Sequence, residues 1–525
     1  MNHINRRTFL EFLGIGTASV LAGGCLPKRK INRSAFSLKA IPPSAADQLE
    51  LAAGLRYELL VKWGDPIAAN ARFGFNNDYL AFLPFDKNNP DDGLLWANHE
   101  YVDPMFVSGF FEKTNDNKTK AQVEKEMREV GGSILRLKKT KGQWQVVKDD
   151  AYNRRLDGFT SIPFNWAEPI AGSRAGIGTL GNCAGGLTPW GTVLTCEENY
   201  DLFYGERDHA TGQRKTVKGE YAWHKFYDYP PEHYGWVVEV NPKTGEAQKH
   251  IALGRCAHEC ATVKELPDGR IVVYTGDDAN DQCLYKFISS KPGSLSEGTL
   301  YVADTQQGRW VSLKYGEQPV LQQHFNNQTE VLVRLREAAK LVGGTPLDRP
   351  EDIEINPANG DVLVTLTNNL PKGNFVGSIL KIREKGGRHD ALEFDPAVFL
   401  TGGEETGFAS PDNMAFDPAG NLWFTSDISG SATNNPKVPE YLPFKNNSLF
   451  VVPVDGPQAG EVIRVANAPV NAEFTGPFFA PDGKTLFLSV QHPGEYSESP
   501  DRPKSNWPEG GNAVPRPAVV AIYGL

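Results

Sequence analysis

Pro267-Asp268-Gly269-Arg270 followed by Ile271-Val272-Val273-Tyr274 is a tight-turn sequence launching a short β-branched and aromatic run. The same unit recurs as Pro189-Trp190-Gly191 before Thr192-Val193-Leu194-Thr195, and as Pro357-Ala358-Asn359-Gly360 before Val362-Leu363-Val364. It returns as Pro418-Ala419-Gly420 before Leu422-Trp423-Phe424, and as Pro481-Asp482-Gly483 before Leu486-Phe487-Leu488. Turn residues bracketing β-branched and aromatic runs are strand chemistry. A repeat of roughly 60 to 90 residues fits the blades of a β-propeller carrying long insertions, with a pair of all-β sandwiches as the alternative. The abundance of Gly (52) and Pro (37) and the scarcity of Met (4) in 525 residues agree with many short strands. Helical periodicity is confined to Thr119–Glu129 and Gln328–Leu341, which read as insertions between strands.

The N-terminus predicts export. Asn5-Arg6-Arg7-Thr8-Phe9-Leu10 is a twin-arginine pattern, and a short glycine-rich apolar run follows it to Gly24. Leu21-Ala22-Gly23-Gly24-Cys25 is similar to a lipoprotein box, although Ala22 sits where a larger aliphatic residue is usual. No later segment is long and apolar enough to span a bilayer, so a lipid on Cys25 is the most membrane contact expected. The expected location is periplasmic or anchored at the outer membrane or cell surface. A net charge of −10 opposes nucleic-acid binding. Clustered carboxylates neutralised by bound cations would still accept a phosphate. Six cysteines leave an odd number once Cys25 is removed.

Acidic residues collect at the ends of the expected strands. Cys196-Glu197-Glu198-Asn199 closes the run after Thr192, and Gly276-Asp277-Asp278 closes the one after Ile271. His258-Glu259, Arg349-Pro350-Glu351-Asp352 and Ser410-Pro411-Asp412-Asn413 precede strands; Ser426-Asp427, His99-Glu100 and Asn76-Asn77-Asp78 complete the set. Singly, an Asp beside Gly or Pro is usually a turn residue. Repeated at corresponding strand ends of a propeller, such residues converge on one axis, where hard cations must neutralise them. His99, His258 and His492 read as packing or supporting groups. Cys256-x-x-x-Cys260 lacks the second pair that a zinc site needs.

The run Asn182-Cys183-Ala184-Gly185-Gly186-Leu187-Thr188-Pro189-Trp190-Gly191-Thr192, continuing to Thr195-Cys196-Glu197-Glu198-Asn199, resembles the core motif of the PhoX-type bacterial alkaline phosphatases. Ala257-His258-Glu259, Tyr274-Thr275-Gly276-Asp277-Asp278, Asp348-Arg349-Pro350-Glu351-Asp352 and Gln491-His492-Pro493-Gly494-Glu495 are similar to its other blocks, in the same order. The resemblance implies an all-β, six-bladed propeller that hydrolyses small-molecule phosphomonoesters as a monomer. It also implies a site with two ferric ions (Fe3+) and three calcium ions (Ca2+) around a bridging oxo species. On that resemblance Cys183 is the thiolate ligand to iron, and Glu198, Glu259, Asp278 and Glu351 are carboxylate ligands. Glu100, Asp78, Asp412 and Asp427 are expected as further ligands. Arg349 grips phosphate with a lysine, Lys215 in preference to Lys218. The expected organisation is a twin-arginine signal over 1–25, recognised by its export machinery, a tether over 26–43 and the propeller phosphatase over 44–525. Two other functions fit a propeller: a calcium-dependent lactonase or esterase, and a non-catalytic binding surface built on the aromatic stretches Tyr200–Tyr204 and Tyr221–Tyr229.

Overall fold

A computed structural model describes residues 37–525 apart from Lys113, Thr216 and residues 218–220. Six antiparallel sheets of four or five strands stand around one axis as a six-bladed propeller. Their inner strands are Asn77–Asp86, Asn182–Leu187, Thr262–Glu265, Pro350–Ile355, Pro411–Phe416 and Glu473–Phe479, in ring order, each packed on the next blade's inner strand. The ring closes because Arg56–Lys62, from before the first blade, becomes the outermost strand of the last. It pairs along Ala518–Tyr523 from Arg56 opposite Tyr523 to Lys62 opposite Ala518. Just upstream, Glu50–Leu51 adds to the fifth blade opposite Asn467 and Ala466. Closure by a strand distant in sequence protects the sheet edges and joins Arg56–Lys62 to the last strand, Ala518–Tyr523.

The five turn-launched runs are all strands, and each is the second strand of its blade rather than the inner one: Val193–Glu197, Ile271–Gly276, Val362–Leu366, Leu422–Ser426 and Thr485–Gln491. Their Pro/Gly turns are the hairpins between first and second strands. At Gly269 the φ of 81° is the left-handed value glycine adopts without cost, while Asp268 Oδ1 accepts the Arg270 amide at 3.0 Å.

The helical insertions form where the 3.6-residue pattern predicts. Lys120–Glu129 starts at a capping box between Thr119 and Gln122. The second divides into Gln328–Val333 and Leu335–Leu341 at Arg334, whose φ and ψ of −104° and 44° break the helix.

Two expectations change. The aromatic stretches near 200 and 221 are not a binding rim: Tyr200, Phe203, Tyr204, Tyr221 and Trp223 form one buried cluster with Tyr234. Residues 37–43, expected as tether, lie along the fifth blade. There Leu38 is buried, the Ile41 amide donates to the Arg464 carbonyl at 3.0 Å, and the Pro42 carbonyl accepts from Asn467 Nδ2 at 3.0 Å. Leu38 and Ile41, on either side of Lys39, dock this extended segment, which a composition reading passes over. The signal and lipobox residues lie outside the described residues. Among the described residues no helix is long and apolar enough to cross a membrane.

Candidate metal centre

A shared irregularity builds the site. In four blades the inner strand carries one extra residue at its start: the pairing jumps between Asn77 and Leu80, Asn182 and Gly185, Pro350 and Ile353, and Pro411 and Met414. Such a bulge bends the strand and re-aims a side chain. In each, the residue just inside the bulge is a candidate ligand: Asp78, Cys183, Glu351 and Asp412. The third blade repeats the pattern one step outside its formal strand, where His258 bridges Asp277 and Glu259 follows. The sixth contributes Glu473, opposite Gln491 at the first pair of its strand. A second tier comes from residues just past the ends of the second strands, Glu100, Glu198, Asp278 and Asp427. Cys183 therefore lies in a bulged strand.

Side chains pay for these bulges by pairing the backbone groups that leave the ladder. Asn98 Nδ2 donates to the carbonyls of Cys183 and of Ala184 (3.0 Å to the latter). Thr365 Oγ1 accepts the Asp352 amide at 2.9 Å, and Thr425 Oγ1 accepts that of Asn413 at 3.1 Å.

The two tiers enclose a cavity of ≈ 240 Å³ at one mouth of the axis, lined by every expected ligand together with Glu473, Glu495 and His492. Asn413 lies behind two of its carboxylates, giving Nδ2 hydrogen bonds to Asp412 Oδ1 (2.9 Å) and Glu259 Oε1 (3.5 Å) and accepting the Gly476 amide at 2.7 Å. Beyond Asn413 a wider funnel of ≈ 970 Å³ opens to the opposite mouth, away from the acidic tiers.

Cys183 is the hub. Its Sγ lies 3.4 Å from Asp78 Oδ2 and 3.2 Å from Glu259 Oε1. It belongs to two groups whose ligand atoms fall within 4.8 Å of one another: Asp78, Glu100 and Cys183, and Cys183, Glu198 and Glu259. All five described cysteines are free, so Cys183 is not paired with Cys196, and Cys256 and Cys260 are buried apart from these groups.

Burial, reinforced by neighbouring carboxylates, pushes Asp78, Glu198, Glu259, Asp412 and Glu473 well above the usual carboxylate range. Glu351 rises for the same reasons although Arg349 opposes the shift. Burial and the charges on Asp78 and Glu259 likewise push the Cys183 thiol up. Asp78 Oδ1 is buried with no hydrogen-bond partner. This donor set, oxygen-rich with one sulfur and charge-strained when only protons serve it, fits hard cations that displace those protons.

Arg349 is the one arginine or lysine among the described residues lining the cavity. Its Nε and Nη2 both reach Asp278 at 2.8 Å, while Nη2 lies 2.6 Å from Glu351 Oε1 and Nη1 3.3 Å from Asp427 Oδ2. It does not pair with Asp352, whose carboxylate turns away to accept the Met414 amide at 2.7 Å.

Lys215 is not brought to the site. It lies in the two-residue pairing of Arg214–Lys215 with Glu206–Arg207, is 65% exposed along its side chain, and faces Asp208 at 3.6 Å. Lys218 is outside the described residues. His99 (against the Phe75 carbonyl and Ser133) and His258 (against Thr275 and the Gly254 carbonyl) are packing groups. His492 does line the cavity, its Nε2 3.3 Å from Glu473 Oε2. Glu473 is not among the residues expected from sequence, because it stands alone rather than in a polar cluster. Its signal was positional: an acid at the start of the inner strand preceding Pro481-Asp482-Gly483.

Fold and cavity together define a class, a six-bladed β-propeller with an acidic, cysteine-bearing cavity at one mouth of the axis. A family model described as alkaline phosphatase PhoX matches residues 36–494. The solved structure of Pseudomonas fluorescens PhoX in complex with vanadate, a transition state analogue, is 30% identical, superposes with a TM-score of 0.81, and is covered to 97% by 93% of this chain. A Dyadobacter fermentans protein of unknown function is 11% identical at a TM-score of 0.40, covered to 99% by 90% of this chain. No curated protein matches. The chain belongs to the PhoX alkaline phosphatase family, a metal-dependent family, and is a phosphomonoesterase acting on small phosphate esters.

Proposed function

We propose that this chain is an exported alkaline phosphatase whose axial cavity holds iron and calcium and releases inorganic phosphate from organic monoesters. The observation that carries this reading is the sulfur of Cys183 standing between two groups of carboxylates at one mouth of the axis. Cys183 would hold iron, with Asp78, Glu100, Glu198, Glu259, Asp278, Glu351, Asp412, Asp427 and Glu473 dividing the remaining positions. The cations supply Lewis-acid stabilisation of charge on the phosphoryl oxygens. Arg349 binds two phosphate oxygens through its planar fork, and its carboxylate neighbours fix the direction of that fork. Asn199 and Gln491 hold Glu100 by hydrogen bonds of 2.7 and 2.6 Å, limiting its rotamers. His99, at 0% exposure, stays neutral because burial pushes its pKa well below the usual histidine value.

A calcium-dependent lactonase needs no thiolate, so the placement of Cys183 favours the phosphatase reading. Five free cysteines among the described residues support folding in a reducing compartment before export, as the twin-arginine route allows. The purified folded protein should absorb visible light, contain iron and calcium, and hydrolyse p-nitrophenyl phosphate until calcium is chelated. A colourless protein that stays inactive with both metals added refutes the assignment. Iron measured in a form lacking residues 1–25 and retained in the cytoplasm tests where loading occurs; an iron-free product refutes cytoplasmic assembly.

A further inference from the structure

The cavity is small. At ≈ 240 Å³ it must accommodate the cations and the phosphoryl group, whereas pockets that enclose a whole organic ligand span about 300–1,000 Å³. The organic part of an ester therefore lies across the mouth, and its contacts there decide which esters are favoured.

One side chain at that mouth is placed for such a contact. Tyr496 lines the cavity and yet is 52% exposed. Its φ of 58° is left-handed, a conformation that costs a tyrosine energy and recurs at functional sites. The strain extends through the loop that carries it, since His492 has a φ of 35°. The loop is pinned by the Gly494 amide on the Val470 carbonyl (2.9 Å), the Glu495 amide on the His492 carbonyl (3.0 Å) and Asn471 Nδ2 on the Glu495 carbonyl (2.6 Å). The neighbouring aromatic group is already committed: Tyr101 donates to Glu495 Oε1 at 2.9 Å and its ring stacks on His492. Tyr496 is thus carried on a pinned loop beside the phosphate cavity, with about half of its surface left to solvent.

Resting on the reading of the acidic tiers and Arg349 as the phosphate site, we propose that Tyr496 is a stacking platform for the leaving group, favouring monoesters with a planar aromatic moiety such as nucleoside 5′-monophosphates. Stacking of a base on an aromatic side chain tolerates any base, because each has a π-face. It contributes binding without touching the ester bond that reacts.

Adenosine 5′-monophosphate and ribose 5-phosphate share the reacting primary ester and differ by the base. The test is the ratio of their kcat/KM values in the metal-loaded full protein. Tyr496→Ala should lower that ratio about 5- to 10-fold, and Tyr496→Phe should preserve it. Tyr496→Asn, which tolerates left-handed backbone, should reproduce the alanine result without added strain. An unchanged ratio in both Tyr496→Ala and Tyr496→Asn overturns the platform. A wild type that hydrolyses neither ester overturns the phosphate-site reading and the platform with it, an outcome distinct from an active enzyme with an unchanged ratio.

Discussion

Arg349→Ala removes the one arginine or lysine that lines the cavity among the described residues, and its consequences can be worked out from the contacts it makes. The guanidinium is 24% exposed along its side chain and engages three carboxylates, two of its nitrogens reaching Asp278 at 2.8 Å. A fork that holds a carboxylate bidentately holds a phosphate the same way. A hydrogen bond to a charged group is worth about 1.5–3 kcal/mol, so losing two to the reacting phosphoryl group removes about 3–4 kcal/mol near the low end of that range. At ~1.4 kcal/mol per tenfold, kcat/KM should fall about 10²- to 10³-fold. Arg349→Lys keeps a point charge but loses the fork, and should retain most of one contact, an ~10-fold loss. The assay is steady-state hydrolysis of p-nitrophenyl phosphate, with competitive inhibition by inorganic phosphate as a binding readout and metal analysis on the same samples. Removing a cation from among Asp278, Glu351 and Asp427 leaves these carboxylates more available, so metal content should not fall. Retained activity within about threefold refutes the phosphate-gripping role, as does a loss of activity that tracks a loss of metal.

Replacing Cys183 by Ala should abolish visible absorbance and activity together; activity that survives bleaching would show that the thiolate is not needed for the chemistry. Lys249→Met should destabilise the fold by about 3–5 kcal/mol in urea unfolding, because Lys249 and Glu197 are both 0% exposed and 2.6 Å apart. Glu197 would keep only weaker support such as the Trp236 amide at 3.1 Å; a change below about 1 kcal/mol would contradict this. Metal-free protein should lose thermal stability as pH rises above about 4. The unfolded carboxylates titrate near pH 4 while those of Asp78, Glu259 and Glu473 are raised, so the folded state holds more protons above that pH. Metal-loaded protein should lack this slope, since cations have replaced the protons; a melting temperature independent of pH in both forms would refute the account.

How far the sequence could be read follows from what its punctuation marks. The Pro/Gly turns announce the hairpins, and the five second strands fall where they predict. The inner strands lie before those turns, and only three of the candidate ligands on them, Asp78, Glu351 and Asp412, stand in recognisable polar clusters beside an expected strand. Glu473 follows Val470-Asn471-Ala472 and opens the apolar strand Glu473–Phe479, so it reads locally as an isolated surface acid; its meaning appears when the sixth blade is superimposed on the others. Lys215 failed for the opposite reason. The resemblance implied a lysine in the segment after the Glu197-Glu198 block, but that segment leaves the blade through the short helix Asp201–Tyr204 and an outlying hairpin.

The bulges explain how a propeller, whose strands alternate faces every residue, gathers so many acids at one mouth. In a regular strand Asp78 and Tyr79, or Asp412 and Asn413, would point to opposite faces. The extra residue rotates the first of each pair into the cavity while the second takes up the interblade contacts, as Asn413 does through Gly476 and Asp352 through Met414. Ligand and support are thus neighbours in sequence, and each depends on the same threonine or asparagine that pairs the bulge backbone. Thr425→Val, isosteric but unable to accept the Asn413 amide (3.1 Å in the native protein) or to donate to Asp412 Oδ2 (3.4 Å), therefore acts on the metal centre without being a ligand itself. It should cost about 1–3 kcal/mol of stability for the unpaired amide. It should also lower metal content at the Asp412 side of the cavity while leaving the absorbance that depends on Cys183. Equal loss of that absorbance and of the bound calcium would mean that the tiers collapse as a unit and that the bulges do not position their ligands individually.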